Sequence, residues 1–337
     1  MKIPKYWRAG VLGVAASLLA ILFIYSQMND VGLMWSALRS ADYGWVLISM
    51  VIIVVGLLAR GARWRALLGG QLPFIRAFNI TNISYLVNGV LPLRIGELAR
   101  AYLAAQGHPS VPVMKSISTI IVERLIDVLA VLLILAFALP SVSLPDEIRG
   151  AASFFAPAVV LGFVVLIVLA SQRERTLKIA AHVLERVKFL QRRNVLKLLE
   201  QFLDGLLPLT QPRLLSQVLL LAAASWFCSL LSGYVLMIAF FGHGDWVATL
   251  LFSAAASLTV AVPAVPGNLG TYELSILLAL RATGYGEPVA AATAFAIAVH
   301  AVNLLVNSSL GVLGFIREGI SLDQLSRGVR EMKQPLG

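Results

Sequence analysis

The sequence predicts an all-α integral membrane protein with about six full spans and two re-entrant, broken-helix hairpins, set out as an inverted repeat. Three observations lead there. First, 59% of the residues are hydrophobic and only 13% charged, against about a quarter charged in soluble domains, and the mean hydropathy is +0.85. Second, several apolar runs approach the roughly 20 residues needed to cross a hydrocarbon core. Third, two short polar segments interrupted by proline and glycine occur at corresponding places in the two halves. Such paired interruptions point to the midplane site of a transporter.

The first span covers about residues 9 to 27 and follows Lys2, Lys5 and Arg8. It resembles a signal peptide, but no A-x-A cleavage site follows it, so it reads as a retained span. The second covers about 44 to 62 and runs out into Arg60, Arg63 and Arg65, which read as charges on the cytoplasmic flank. The link between them holds only Asp30, Arg39 and Asp42 as charged residues. This asymmetry places the N-terminus in the cytoplasm.

Residues 77 to 92, AFNITNISYLVNGVLP, are too short and too polar to span. They predict a half-membrane helix that turns at Pro92, with about 94 to 106 as the returning arm; a turn at that depth needs protein or a wet cavity around it. Span three, about 113 to 139, carries VERLID in its first half, and the loop SLPDEIRG lies outside. Span four covers about 152 to 171.

The stretch 172–213 is rich in arginine and lysine. Its apolar residues Ile179, Val183, Leu184, Val187 and Leu190 recur at helical spacing. That pattern predicts an amphipathic helix on the cytoplasmic face, held by anionic lipid headgroups, with a solvated linker helix as the alternative. Span five covers about 214 to 241. Residues 247–262 then form a second short helix, PAVPGNLGTYE breaks it, and an arm returns over about 274 to 283. Span six covers about 288 to 316, ahead of a basic tail on the cytoplasmic side. The chain thus divides into a first membrane repeat, 1–150, and a second, 151–337, of opposite orientation.

The net charge of +10 and pI near 10.0 would suggest nucleic acid in a soluble domain. Here most of the basic residues flank apolar runs, so anionic lipid is the expected partner and nucleic acid is not. Cys228 is the only cysteine, which excludes an intrachain disulfide. No C-x-x-C, H-E-x-x-H, Walker loop or D-x-D is present, so no cofactor, metal or catalytic constellation is expected.

The chemistry concentrates in three places. After Pro92, Arg94, Glu97 and Arg100 follow at spacings of three, so Glu97 is expected to pair with either arginine. The alternative for Arg94 and Arg100 is a headgroup-level position with snorkelling side chains. In span three, Glu123 and Asp127 share a helical face, which demands a nearby cation. Arg124 is within reach of Asp127, and Arg94 or Arg100 could supply the rest. In the second hairpin, Pro263, Pro266, Gly267 and Gly270 predict an unwound turn that lets backbone amides approach an anion, with close helix packing as the other reading. Tyr272 and Glu273 open the arm behind it. His300 and Asn303 share a face of span six, where a hydrogen-bonded core role for the histidine competes with proton carriage.

These motifs, NGVLPLRIGELAR, VERLID and PAVPGNLGTYE, resemble the flippase-like transmembrane region of lysylphosphatidylglycerol synthases over nearly the whole chain. The resemblance implies a bacterial or archaeal inner-membrane protein that moves a polar-headed, phosphate-containing or isoprenoid lipid between leaflets. It places the family's first pattern loosely on Asn88, Arg94, Gly96 and Glu97, and E-R-x-x-D on Glu123, Arg124 and Asp127. The pattern P-G-x-x-G-x-x-E falls on Pro266, Gly267, Gly270 and Glu273. Two departures stand out. Members commonly show two glycines where this chain has Gly267 and Asn268, and many carry an arginine where His300 stands. The synthases append a soluble aminoacyl-transfer domain that is not found here, so lipid aminoacylation by this chain is not expected.

The expectation is therefore a lipid translocator, working passively or by ion coupling, as a single chain or a homo-oligomer. Its substrate-binding set is Asn88, Arg94, Glu97, Arg100, Glu123, Arg124, Asp127, Pro266, Gly267, Gly270, Glu273 and His300. The rival expectation is an enzyme, or its membrane accessory, that transfers a sugar or headgroup to a lipid carrier, with Glu97 or Glu123 as general base. A third is a scaffold for other membrane enzymes.

Overall fold

A computed structural model describes residues 5–27, 30–90, 95–106, 109–138, 146–186, 195–261, 266–321, 324–325 and 327–328. Thirteen α-helices and two short 3-10 turns make up the described fold, with no strand among the described residues. The chain is an all-α membrane protein. The helices are α1 (Lys5–Gln27), α2 (Val31–Ser40), α3 (Tyr43–Leu67), α4 (Phe74–Val90), α5 (Gly96–Ala105), α6 (Val113–Ala138) and α7 (Asp146–Ser171). They continue as α8 (Arg173–Arg186), α9 (Val195–Asp204), α10 (Pro212–Phe241), α11 (Trp246–Ala261), α12 (Thr271–Ala282) and α13 (Val289–Glu318).

Each of the six stretches expected to span is one helix, α1, α3, α6, α7, α10 and α13, of 23 to 30 residues. At 1.5 Å per residue all exceed a hydrocarbon thickness of about 30 Å. By length and apolar composition alone, α3, α10 and α13 qualify without reserve. Helix α6 matches them in length but carries Glu123, Arg124 and Asp127 along its middle. The link after α1 is a helix of its own: Asp30 accepts the Gly32 amide at 2.6 Å to start α2, which bends 93° away from α1. Asp42 in turn caps α3 through the Gly44 amide.

The two halves share an order of lengths. A long helix (α3, α10) leads to a shorter one (α4, α11), then to a short returning helix (α5, α12) and a second long helix (α6, α13). Helices α3 and α10 pack on each other most extensively. Gly56 makes this possible, since a Cβ there would lie 3.0 Å from the Cys228 Cβ. The hairpins cross between halves: α4 lies on α13, and α11 lies on α6. Gly311 and Gly314 of α13 let α4 in so closely that a Cβ on either would sit 2.9 Å from a backbone carbonyl of α4. At the end of that crossing, Glu318 accepts from Asn79 at 3.1 Å and pairs with Arg76 at 3.4 Å.

The basic stretch 172–213 differs from the expected single surface helix. Its described part is two helices, with Val187 and Leu190 outside the described residues. Arg173 of α8 clips them together through Glu200 at 3.0 Å and Asp204 at 2.9 Å on α9. The α9 segment does not simply lie on the membrane. Leu203, Leu206 and Leu209 are buried in a core with Val122 and Ile126 of α6 and with Val218 and Ala222 of α10. The physical reason is amphipathicity: one side of this segment is apolar, and packing its leucines against α6 and α10 removes that surface from water.

Gly205 sits at the tightest point of this docking, where a Cβ would overlap the Ser118 hydroxyl and lie 2.6 Å from the Lys115 carbonyl oxygen. Gly205→Ala is expected to destabilise the protein by about 1–3 kcal/mol, read as a lowered thermal unfolding midpoint in detergent. An unchanged midpoint would show that α9 is not held against α6.

Candidate polar cavity between the two hairpins

The centre of the molecule is an ionic network carried by α3, α5 and α6. Glu123 of α6 is fully buried, and so is Arg63 of α3. The Arg63 guanidinium reaches Glu123 at 2.8 Å and Asp127, one turn on, also at 2.8 Å. Arg100 of α5 closes on the other Glu123 oxygen at 2.8 Å. Its flat guanidinium lies over the Trp64 ring, 4.0 Å from the ring centre. Trp64 is pinned in turn by donating to the Thr119 hydroxyl at 3.2 Å. Asp127 also accepts from the Trp226 indole of α10 at 3.3 Å, so four helices converge on two carboxylates. Buried charges of this kind are sustained only by such mutual pairing.

This geometry corrects the expected pairings. Arg63, read from sequence as a flanking charge, is the hub. Glu97 pairs with Arg124 at 3.8 Å rather than with Arg100, because Arg100 turns inward to Glu123. Arg124 also meets Asp127 at 3.3 Å, as its spacing suggested. Arg94 lies outside the described residues. Asn88, at the end of α4, accepts the Gly96 amide at 2.8 Å and so ties the two arms of the first hairpin together. Gly96 is obligatory for this, since a Cβ would collide with the Ser84 carbonyl oxygen and lie 2.6 Å from Asn88 Oδ1.

The second hairpin is organised by Glu273. Its Oε2 accepts the Gly270 amide at 2.7 Å, which fixes the start of α12, and its Oε1 lies 2.6 Å from His300 Nδ1 on α13. Tyr272 stacks on the His300 ring with centroids 4.3 Å apart. In the turn Pro266–Asn268, Gly267 and Asn268 adopt φ of 68° and 53°. Asparagine tolerates this left-handed region better than other non-glycine residues, which explains how it stands in place of the family pattern's second glycine. Gly270, at φ 83°, comes so close to α1 that a Cβ would lie 2.7 Å from the Ser17 carbonyl oxygen.

Between the hairpins is a cavity of about 380 Å³. The first half lines it with Arg60, Tyr85, Asn88, Glu97, Arg100, Arg124 and Asp127; the second lines it with Ser229, Gly267, Asn268, Tyr272, His300 and Asn307. Of the expected site residues, seven therefore share one hollow: Asn88, Glu97, Arg100, Arg124, Asp127, Gly267 and His300. Glu123 and Glu273 are not on its wall but stand behind it, holding Arg100 and His300. Gly270 faces α1. Pro266 opens the turn. Sequence reasoning missed Arg60, Arg63, Tyr85 and Trp226. The one available signal was the unmet charge of Glu123 and Asp127, which required more cations than their own helix supplies.

A multi-helix membrane protein with two broken-helix hairpins around a buried polar cavity is the class this architecture defines. The family model described as the lysylphosphatidylglycerol synthase TM region matches residues 10–311, and the chain belongs to that family. No curated protein matches the chain.

Removing Arg63 leaves Glu123 and Asp127 short of a cation inside a membrane protein. Arg63→Ala is expected to cost about 3–5 kcal/mol, read as a large drop in the unfolding midpoint in detergent. Adding Asp127→Asn to Arg63→Ala should recover part of that loss, because Glu123 keeps Arg100 and Arg124 keeps Glu97, so no carboxylate is left in excess. A double variant no more stable than the single would argue against the network as the central tie.

Proposed function

We propose that this protein translocates a polar-headed lipid between the leaflets of the plasma membrane. The observation that carries the reading is the cavity: ionised and hydroxylic side chains from both halves face one hollow inside a helical body made to sit in lipid. A headgroup crossing a bilayer needs such a polar surface, because desolvating it in hydrocarbon costs several kcal/mol per group. Family membership supports a lipid as the cargo, since the family is named for the synthase of an aminoacylated phospholipid. In this reading the halves form an inverted repeat, with both termini cytoplasmic, and the hairpins open alternately towards the two faces. The matching order of helix lengths and the reciprocal packing of α4 on α13 and α11 on α6 support it.

The same geometry weighs against the transferase reading. A general base needs a carboxylate free to take a proton; Glu123 is enclosed between Arg63 and Arg100, which leaves Glu97, paired with Arg124 at 3.8 Å on the cavity wall, as the one carboxylate of the two on which that reading could rest. Within the proposal the protein is a carrier rather than an enzyme. Arg124 and Glu97 line the passage, and Glu273 positions His300 and the second turn.

In proteoliposomes, Arg124→Ala, Glu97→Gln and Glu273→Gln are each expected to lower fluorescent-lipid exchange at least tenfold, with circular dichroism and elution profile unchanged. Wild-type exchange in all three variants would refute translocation through this cavity. Lipid-linked product formed from an activated donor, without leaflet exchange, would favour the transferase.

A further inference from the structure

The two hairpins hold their buried glutamates by different chemistry. Glu123 faces arginines, which keep their proton at any working pH. Glu273 faces a histidine, the side chain whose charge changes between about pH 5 and 8. The ring of His300 is fixed on two sides: Nδ1 lies 2.6 Å from Glu273 Oε1, and Tyr272 stacks on it with centroids 4.3 Å apart. Glu273 already accepts the Gly270 amide with its other oxygen at 2.7 Å, so it faces Nδ1 as an acceptor and Nδ1 carries the proton. Nε2, across the ring, makes no hydrogen bond among the described residues, and His300 lines the cavity. A nitrogen lone pair is therefore left open on a polar hollow. Among the described residues no other histidine lines it.

We infer that His300 Nε2 is a proton-binding site and that protons taken up there are coupled to passage through the cavity. The coupling, not the site, rests on the translocation reading. The step is a simple addition. A proton reaching the cavity joins the Nε2 lone pair, Nδ1 keeps its own, Glu273 stays anionic, and the pair goes from one net negative charge to none. Of the other ionisable groups on that wall, Arg60, Arg100, Arg124, Tyr85 and Tyr272 are guanidinium and phenol groups, which as classes stay protonated across that range. Glu97 and Asp127 are in ion pairs with Arg124 at 3.8 Å and 3.3 Å. The wall residues from α10 and α11 are not ionisable, and Arg94 lies outside the described residues. Glu273 ties the start of α12 to α13, so the proton acts on a joint. With a neutral imidazole that tie is a hydrogen bond from an uncharged N–H; with the imidazolium it is an ion pair, about twice as strong. Uptake fastens the second turn against α13 and release loosens it. A proton gradient then biases lipid movement, and by reciprocity lipid movement carries protons.

The first test needs no transport. The full chain, labelled with 15N-histidine and placed in phosphatidylcholine vesicles, is read by solid-state NMR between about pH 5 and 8. Of its four histidines, His300 gives the signal lost in His300→Gln, and equally the one kept when His108, His182 and His243 are all replaced by glutamine. Its Nδ1 should stay protonated throughout, while Nε2 passes from bare to protonated as the pH falls. An Nε2 in one state over the whole range would overturn the site.

The second test uses proteoliposomes carrying a fluorescent lipid, with the membrane potential clamped by potassium and valinomycin. A pH difference of one unit, a proton ratio of about tenfold, is imposed across the bilayer. The steady-state ratio of label between the leaflets should move by about threefold or more and return when a protonophore collapses the gradient. Exchange that ignores the gradient would overturn the coupling. An Nε2 that titrates in a protein showing no leaflet exchange at any pH would uphold the proton site and refute translocation instead.

Discussion

The structure depends on a single carboxylate. Glu123, in the middle of a membrane helix and sealed from solvent, has one oxygen on Arg63 and the other facing Arg100. Neither arginine lies on its own helix, so neutralising this charge requires α3, α5 and α6 to meet at one point. Two apolar helices slide past each other in lipid with little preference, because lipid tails are as apolar as leucine. An enclosed ionic contact fixes their register. Trp64 and Trp226 extend the constraint, one under Arg100 and the other donating to Asp127.

That tie places the first hairpin. Arg100 is one turn from Glu97 on α5, so holding Arg100 inward presents Glu97 to the cavity beside Arg124. Asn88 closes the other arm onto the Gly96 amide. The second hairpin reaches an equivalent end by other means: Glu273 binds the Gly270 amide on one side and His300 of the closing long helix on the other. In both cases a buried glutamate couples the returning arm to the long helix that follows it. The first hairpin uses arginines and the second a histidine, so the wall carries most of its charge on one side.

Much of this was legible in the chain. The long helices and, in each half, the short helix followed by a returning arm follow from hydropathy, glycine and proline, because lipid forces every backbone group into a local helix; the expected turns at Pro92 and Pro263 lie outside the described residues. The clustering of Glu97, Glu123, Arg124 and Asp127 was foreshadowed too, since carboxylates at helical spacing inside a span demand cations. What the chain could not tell was which cations answer. Arg60, Arg63 and Arg65 look alike in sequence, all near the end of an apolar run. Yet Arg63 is buried at the hub, Arg60 lines the cavity, and Arg65 turns back to the Leu72 carbonyl oxygen at 3.1 Å. Residues two or three apart on a helix point in different directions, and what they meet is set by helices distant in sequence. Only the packed structure decides that.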